Sequence, residues 1–507
     1  MAAMIPLLAW VPEVSRFTRI AVGMGWAMHI AGFLLVSYHC LSSGRDTAAR
    51  ILWIFVSWSF PVIGPMLYLS FGINRLPAKG WHKQVHDEKF LEERRVREAE
   101  TFPLAYWRSM YGNVASEPHC DFGRKLDRAM DSILPSFPLL GGNDLRILID
   151  GNEAIPAMLK AIESAESHVH MQSFIVRNDH VGHEFLDLLA KKARSGIAVR
   201  FMYDRFGSTH AIITRLFRKY RDIPNMKIVG WTQANPLKRQ FQVNLRNHRK
   251  IIVVDGKIAF CGGMNVQDQS EGRGTMMVRD YHFAVQGPAV LELQYTFMRD
   301  WNFMTDEGPE ELLRETYFPR EPVAGDSLVR IVNSGPTAEM EAIRDVLFFA
   351  ISGAEKEILL VTPYFVPTRE ILKAIRAAAL RGVDVRIVVP GRTNHLCAGL
   401  AGQALYYGLL DAGVRIFRRA PPFMHAKAYV VDGKFALVGT ANLDIRSLRL
   451  NYETNLAVHG EEFANRLREV ILGEIAVSEE VNLTAWQRRS ESQQLVENIA
   501  GLFMPVL

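Results

Sequence analysis

The sequence predicts an α/β protein with two pseudo-repeated lobes, each a mixed sheet flanked by helices, preceded by an N-terminal transmembrane helical hairpin. Three observations carry this reading. Two long apolar runs without charge open the chain. Short apolar segments alternate with helical ones from about Leu145, and one constellation of polar residues occurs twice in the same order.

The apolar runs come first. No Lys, Arg, Asp or Glu lies between Ile20 and Leu41, nor between Ile51 and Ile73. Each run is close to the ~20 residues that cross a bilayer core as a helix. The expectation is a membrane anchor over residues 1–75, with spans at about 20–41 and 51–73. Trp53, Trp58 and Tyr68 suit the interfaces, and Pro61 and Pro65 would kink the second span. A pair of buried core helices is the alternative, disfavoured by the length of the runs and their lack of charge. A removable leader fits poorly, because no charged segment followed by a short apolar one opens the chain. Arg16 and Arg19 precede the first span, and Arg75, Lys79, Lys83 and Lys89 follow the second, against Arg45 and Arg50 between them. This bias puts both termini on the cytoplasmic side.

Residues 76–135 read as a connector, in which Glu92 and Glu93 near Arg95 and Arg97 mark a solvated helix face. "LRILID", "EAIPAMLKAIESAES", "HVHMQSFIV", "EFLDLLAKKARSG" and "IAVRFMYD" then alternate strand and helix character. The order returns as "LVRIVNSG", "EMEAIRDVLFFAISGA", "EILLVTPYFVP" and "VDVRIVVP". The first lobe therefore covers 136–322 and the second 323–507, and the seam between them is the natural place for a site. Leu495, Ile499, Leu502 and Val506 form one face of a C-terminal helix, which reads as core packing before membrane contact.

Composition removes some function classes. A net charge of +5 on 507 residues gives nucleic-acid binding no electrostatic support. Cys40, Cys120, Cys261 and Cys397 are too scattered for a zinc site or a disulfide framework.

The chemistry is expected in two matched segments, "NHRKIIVVDGKIAFCGGMN" and "MHAKAYVVDGKFALVGTAN". His248 and His425, Lys250 and Lys427, Asp255 and Asp432, and Asn265 and Asn442 all keep one offset of 177 residues. One such HxKxxxxD pattern arises by chance; two in register do not. Residues i and i+2 of a strand share a face, so each His and Lys point the same way. Asp255-Gly256 and Asp432-Gly433 are two-residue hairpin signals, so these aspartates serve either the chemistry or the turns. Two imidazoles on one seam suit a phosphodiester: one attacks phosphorus, the other protonates the leaving alkoxide and then deprotonates the incoming hydroxyl. Lys250 and Lys427 would offset phosphate charge, with Asn265, Asn442 and Thr440 as further donors. Asp280 in "VRDYHFAV" and Glu453 in "NYETNLAV" are the candidates to orient the histidines. The expected site needs no metal and no cofactor.

These motifs resemble the phospholipase D superfamily. Together with "PYFVP", "RGVDVRIVVP", "GTANLDIRS", "NYETN" and the span "WSFPVIGPMLYLSFG", the chain looks like the bacterial cardiolipin synthases over most of its length. The resemblance implies His248 as nucleophile and His425 as acid/base, with Lys250, Lys427, Asn265 and Asn442 around the phosphate. It implies transfer of a phosphatidyl group between two phosphatidylglycerol molecules, giving cardiolipin and glycerol, in the bacterial inner membrane; the Lys and Arg flanks put the lobes on the cytoplasmic side. Partners would be phosphatidylglycerol and the lipid bilayer, and no nucleic acid. The chain departs from the family at Val278, where Trp is usual, and at Gln267, where the second half has Asp444. A phospholipase D-type hydrolase has the same residues and differs only in its acceptor, water. A nuclease of the same superfamily and a degenerate membrane scaffold rank below it.

Overall fold

The computed structural model describes residues 16–42, 47–69, 83–94, 118, 120–134, 137–231, 245–270, 277–319, 323–336 and 339–504. The chain divides into two compact units, Met1–Ala78 and Lys79–Leu507.

In the first unit, helix α1 (Arg16–Ser42) is long and apolar enough from Val22 to Ser42 to cross a membrane. It is the one such helix among the described residues. The expected second span is broken into α2 (Thr47–Ser59) and α3 (Ile63–Leu67), while residues 70–73 lie outside the described residues. The break falls at Pro61, whose ring cannot continue a helix, and Val62 beside it takes a left-handed φ of 62°. Tyr68, expected at an interface, is instead buried with Val36 and Cys40 against Trp53, and its hydroxyl lies 2.5 Å from His39 Nδ1.

The second unit is organised by one sheet. The first half of the chain supplies β1 (Leu140–Ile149), β2 (His168–Ser173), β3 (Ala198–Asp204), β4 (Met226–Trp231), β5 (Ile251–Val254) and β6 (Ile258–Gly262). The short β7 (Val278–Arg279) and β8 (Tyr281–Gln286) complete it. The second half supplies β9 (Ser327–Ser334), β10 (Glu357–Val361), β11 (Phe365–Val366), β12 (Asp384–Pro390) and β13 (Arg415–Arg419). It continues with β14 (Phe423–Met424), β15 (Ala428–Val431), β16 (Phe435–Gly439), β17 (Leu443–Asp444), β18 (Glu453–His459) and β19 (Ser478–Glu480).

Fifteen of these strands run in the order β19-β13-β12-β10-β15-β16-β18-β9-β1-β8-β6-β5-β2-β3-β4. Read outward from the centre, the order β1-β8-β6-β5-β2-β3-β4 matches β9-β18-β16-β15-β10-β12-β13. Both halves mix parallel pairs (β2 with β3, β10 with β12) and antiparallel hairpins (β5 with β6, β15 with β16). The lobes were expected to carry separate sheets; β1 and β9 instead pair antiparallel and make them one. Asn143 fastens this join: its Nδ2 donates to the carbonyls of Leu140 (2.7 Å) and Ser327 (3.2 Å). The largest apolar core accordingly draws on both halves, from Leu145, Ile251 and Phe283 to Ile331 and Val361.

Two expectations at the edges of this unit need correction. The helix over residues 83–94 belongs to the folded unit rather than to a loose connector, although Glu92 and Glu93 are exposed as expected. Lys83, counted above as a membrane flank, is buried in ion pairs with Asp87 (2.8 Å) and Asp300 (3.1 Å), and Arg94 pairs with Glu292 at 2.6 Å. In the C-terminal helix Glu491–Gly501 the buried face is Glu497 and Ala500, the latter packed on Ala398 and Ala401. Leu495, Ile499 and Leu502 are therefore exposed, not core; Val506 lies outside the described residues.

Candidate active site

The two hairpins β5–β6 and β15–β16 build the site from matching ends. Asp255 and Gly256 (φ 55° and 66°) and Asp432 and Gly433 (φ 54° and 63°) all take left-handed conformations, as two-residue hairpin turns of this hand require. Their aspartates do not line the cavity that holds both histidines. Asp255 accepts from the backbone N–H groups of Glu166, Ser167 and His168, each at 2.8 Å. Asp432 accepts from those of Glu355, Lys356 and Glu357 at 2.8–2.9 Å. Of the two expected roles, chemistry or turn, both carboxylates take the second and tie a turn to the start of the neighbouring strand, β2 or β10.

The opposite ends of the hairpins carry the histidines, on extended segments that lead into β5 and β15. Each segment docks on the other half, one on the residue that precedes β18 and one on β7. The His248 N–H donates to the Tyr452 carbonyl at 2.9 Å, and the His425 N–H to the Arg279 carbonyl at 2.8 Å. β7 and β14 pair in parallel beside the second of these contacts. The residue after each of those carbonyls is a candidate orienter, and the pairing is thereby exchanged between halves. His248 Nδ1 lies 2.9 Å from Glu453, and His425 Nδ1 lies 2.7 Å from Asp280.

Electrostatics fix the tautomer. Burial alone would raise both carboxyls, but His248 beside Glu453, and His425 with Lys427 beside Asp280, hold them below the ordinary carboxylate range. An ionised carboxylate accepts, so each Nδ1 donates and each Nε2 keeps its lone pair. Burial pushes both imidazoles down to about 4, Lys250 down to about 7 and Lys427 down to about 8. The halves feel one another: Lys427 depresses His248, and Lys250 depresses His425.

The other expected residues divide. Lys250 Nζ donates to the His248 carbonyl at 2.8 Å, and Lys427 Nζ lies on the His425 imidazole at 3.0–3.1 Å and donates to that residue's carbonyl. Asn265 and Asn442 line one cavity of about 730 Å³ with both histidines and Asp280. Asn265 Oδ1 accepts from the Ile175 N–H at 3.1 Å. Thr440 was expected as a phosphate donor, but its hydroxyl donates to Glu453 Oε2 at 2.6 Å and accepts from the Thr454 N–H at 3.0 Å. With donor and acceptor both engaged and the residue fully buried, Thr440 positions Glu453 instead. Of the two departures, Val278 and Gln267 both line the cavity, and burial raises Asp444 beside them to about 6.

Sequence reasoning missed several cavity residues: Arg246, Arg446, Tyr364, His395, Phe423 and Asn451. Arg246 stands two residues before His248, which was the available signal, yet its repeat mate is Phe423 and the repeat therefore hid it. It also missed the brace beneath His248. Arg249 is buried, donates to both oxygens of Asp300 at 2.7 Å and to the Glu453 carbonyl at 3.1 Å.

Comparison with known proteins places this arrangement. A family model described as cardiolipin synthase, phospholipase D-like domain, matches residues 158–301 and 347–473, one segment in each half. A phospholipase D-nuclease N-terminal model matches residues 32–72. Cardiolipin synthase 1 of Bacillus anthracis is 32% identical over 520 residues, covering 100% of this chain and 97% of that protein. Cardiolipin synthase of Geobacillus kaustophilus is 33% identical over 471 residues, covering 91% and 90%. Among solved structures, the phosphatidylserine synthase of Haemophilus influenzae Rd KW20 shares the fold, with a TM-score of 0.57, 15% identity, and coverage of 75% of this chain and 100% of that one. The chain belongs to the phospholipase D superfamily and, within it, to the cardiolipin synthase family.

Proposed function

We propose that the chain is a phosphatidyltransferase that makes cardiolipin and glycerol from two molecules of phosphatidylglycerol. The observation that carries the reading is that both imidazoles line one cavity, each with its Nδ1 on a carboxylate from the opposite half. His248 Nε2 attacks the donor phosphorus, and the bond to the glycerol oxygen breaks as His425 gives it a proton. A bound phosphodiester supplies the negative charge that raises His425 enough to hold that proton. His425 then takes the proton of the second lipid's glycerol hydroxyl, whose oxygen displaces His248 from phosphorus. Lys250, Lys427, Asn265 and Asn442 offset charge on the non-bridging oxygens. Asp280 and Glu453 orient the rings and stabilise the imidazolium forms.

A lipid substrate also fits the rim. Leu396, on the cavity wall, is 72% exposed, and the C-terminal helix packed behind it exposes Leu495, Ile499, Leu502 and Phe503. Together with α1, these side chains suit a protein of the bacterial inner membrane, and the flanks that remain without Lys83 (Arg16, Arg19, Arg75, Lys79 and Lys89 against Arg45 and Arg50) favour a cytoplasmic catalytic unit. A C-terminal reporter active only outside the cytoplasm would refute that orientation.

The test is to give the purified full chain phosphatidylglycerol alone and separate the products. Cardiolipin with equimolar glycerol is the expected result. Phosphatidate without cardiolipin would make the chain a hydrolase.

A further inference from the structure

The two halves repeat their catalytic groups but not their cavity walls. Arg246 corresponds to Phe423 in the second half, and Arg446 corresponds to Gln269 in the first, at the same offset of 177 residues. All four line the cavity. The basic side chains are therefore gathered rather than distributed by the repeat.

The backbone shows how they are gathered. Asn451 donates its N–H to the Arg446 carbonyl at 3.0 Å, and the next residue, Tyr452, donates its N–H to the Arg246 carbonyl at 2.9 Å. Adjacent residues of one segment thus anchor the backbone of one arginine from each half, and both side chains line the one cavity. Both are half-buried, and the Arg246 guanidinium lies over the Phe206 ring at 3.6 Å. Two like charges partly withdrawn from water repel, which is costly unless an anion joins them. Burial and the neighbouring Arg446 push Arg246 down to about 10. Asp204 offsets part of this charge at both arginines, and Asp444 and Glu453 do so at Arg446. Asp204 accepts from the N–H groups of Phe206, Gly207 and Asn247 at 2.9–3.0 Å, and Asp444 from that of Ser447 at 2.7 Å.

The proposed reaction brings two phosphodiesters into one cavity. The donor phosphorus must lie between the imidazoles, within reach of Lys250 and Lys427, and the acceptor lipid carries the other. We propose that Arg246 and Arg446 form a second anion subsite, which holds the phosphodiester of the acceptor phospholipid and so selects a charged lipid alcohol over water or free glycerol. This rests on the transferase reading above and adds the acceptor's recognition to it. Paired guanidinium forks suit a phosphodiester because they donate two parallel hydrogen bonds as well as charge.

The experiment is an acceptor competition. The full chain in detergent micelles with phosphatidylglycerol as donor is offered a water-soluble glycerol phosphodiester and isotopically labelled glycerol. The ratio of kcat/KM for the two acceptors is measured in the wild type, R246Q, R446Q and the corresponding lysine variants. Loss of one charge-assisted contact should lower the ratio about tenfold in each glutamine variant, with lysine restoring part of it. An equal fall for both acceptors, or an unchanged ratio, would overturn the subsite. If the wild type transfers only to water, the transferase reading fails by itself, and the diester is then read as an inhibitor of phosphatidate release. An inhibition constant raised about tenfold in the glutamine variants would still support the subsite, and an unchanged one would remove it.

Discussion

His425 takes its carboxylate from the other half of the chain: Asp280 lies 2.7 Å from its Nδ1, across a sequence separation of 145 residues. Glu453 does the same for His248 at 2.9 Å, across 205 residues. Neither half holds a complete base–orienter pair, so neither is expected to be an enzyme alone.

Asp280→Asn and Glu453→Gln keep the shape of each orienter but offer a donor where the ring needs an acceptor. By analogy with other histidine–carboxylate pairs, each should lower kcat by about 10² to 10⁴. Steady-state kinetics on variants with wild-type melting temperatures would check this. A loss below twofold would mean that the exchanged carboxylates serve packing only.

Trapping the intermediate distinguishes the two histidines. Donor carrying labelled phosphorus should leave acid-labile, base-stable label on the wild type. More should accumulate in His425→Ala when the leaving group needs no protonation, and none in His248→Ala. Label retained in His248→Ala and lost in His425→Ala would reverse the roles.

The lysines set the alkaline limit. Burial pushes Lys250 down to about 7 and Lys427 down to about 8, so raising the pH through 7–8 discharges the groups proposed to offset the phosphate charge. The kcat/KM profile should therefore fall on the alkaline side over that window, while protonation of the attacking His248 imidazole near 4 limits it on the acid side. Bound phosphodiester favours the charged lysines, so the alkaline limb of kcat should lie at higher pH than that of kcat/KM. Coincident limbs would show that the lysines do not meet the substrate.

Asp255 and Asp432 should behave as structural residues. Each accepts three backbone N–H bonds, so Asp255→Ala or Asp432→Ala strands donors at the start of β2 or β10 and should cost about 1–3 kcal/mol, a few degrees in Tm. Differential scanning calorimetry would show the shift. An unchanged Tm with kcat reduced a hundredfold would return these carboxylates to the chemistry.

Much of this was legible in the sequence because the relevant physics is local. The HxK spacing, the Asp-Gly turns and the alternation of strand and helix each depend on neighbours within a few residues, and the constant offset of 177 residues announced the repeat. The second apolar run was legible in composition but not in shape. Pro61 marked a kink, and only the folded chain shows α2 ending there and a separate α3. Thr440 shows the same limit, since a hydroxyl near a phosphate site and one beneath a carboxylate have the same spelling.

The sequence alone therefore determined the fold class and the family, and it marked the paired histidines, lysines and asparagines as the candidate site. Tertiary structure decided that the lobes share one sheet, that each histidine borrows its carboxylate from the opposite half, and that adjacent residues of one segment hold the Arg246 and Arg446 backbones. The reason is physical. Local patterns are fixed by the geometry of short peptide segments, whereas these three arrangements depend on backbone pairing between segments far apart in the chain, where no spacing rule records which will meet.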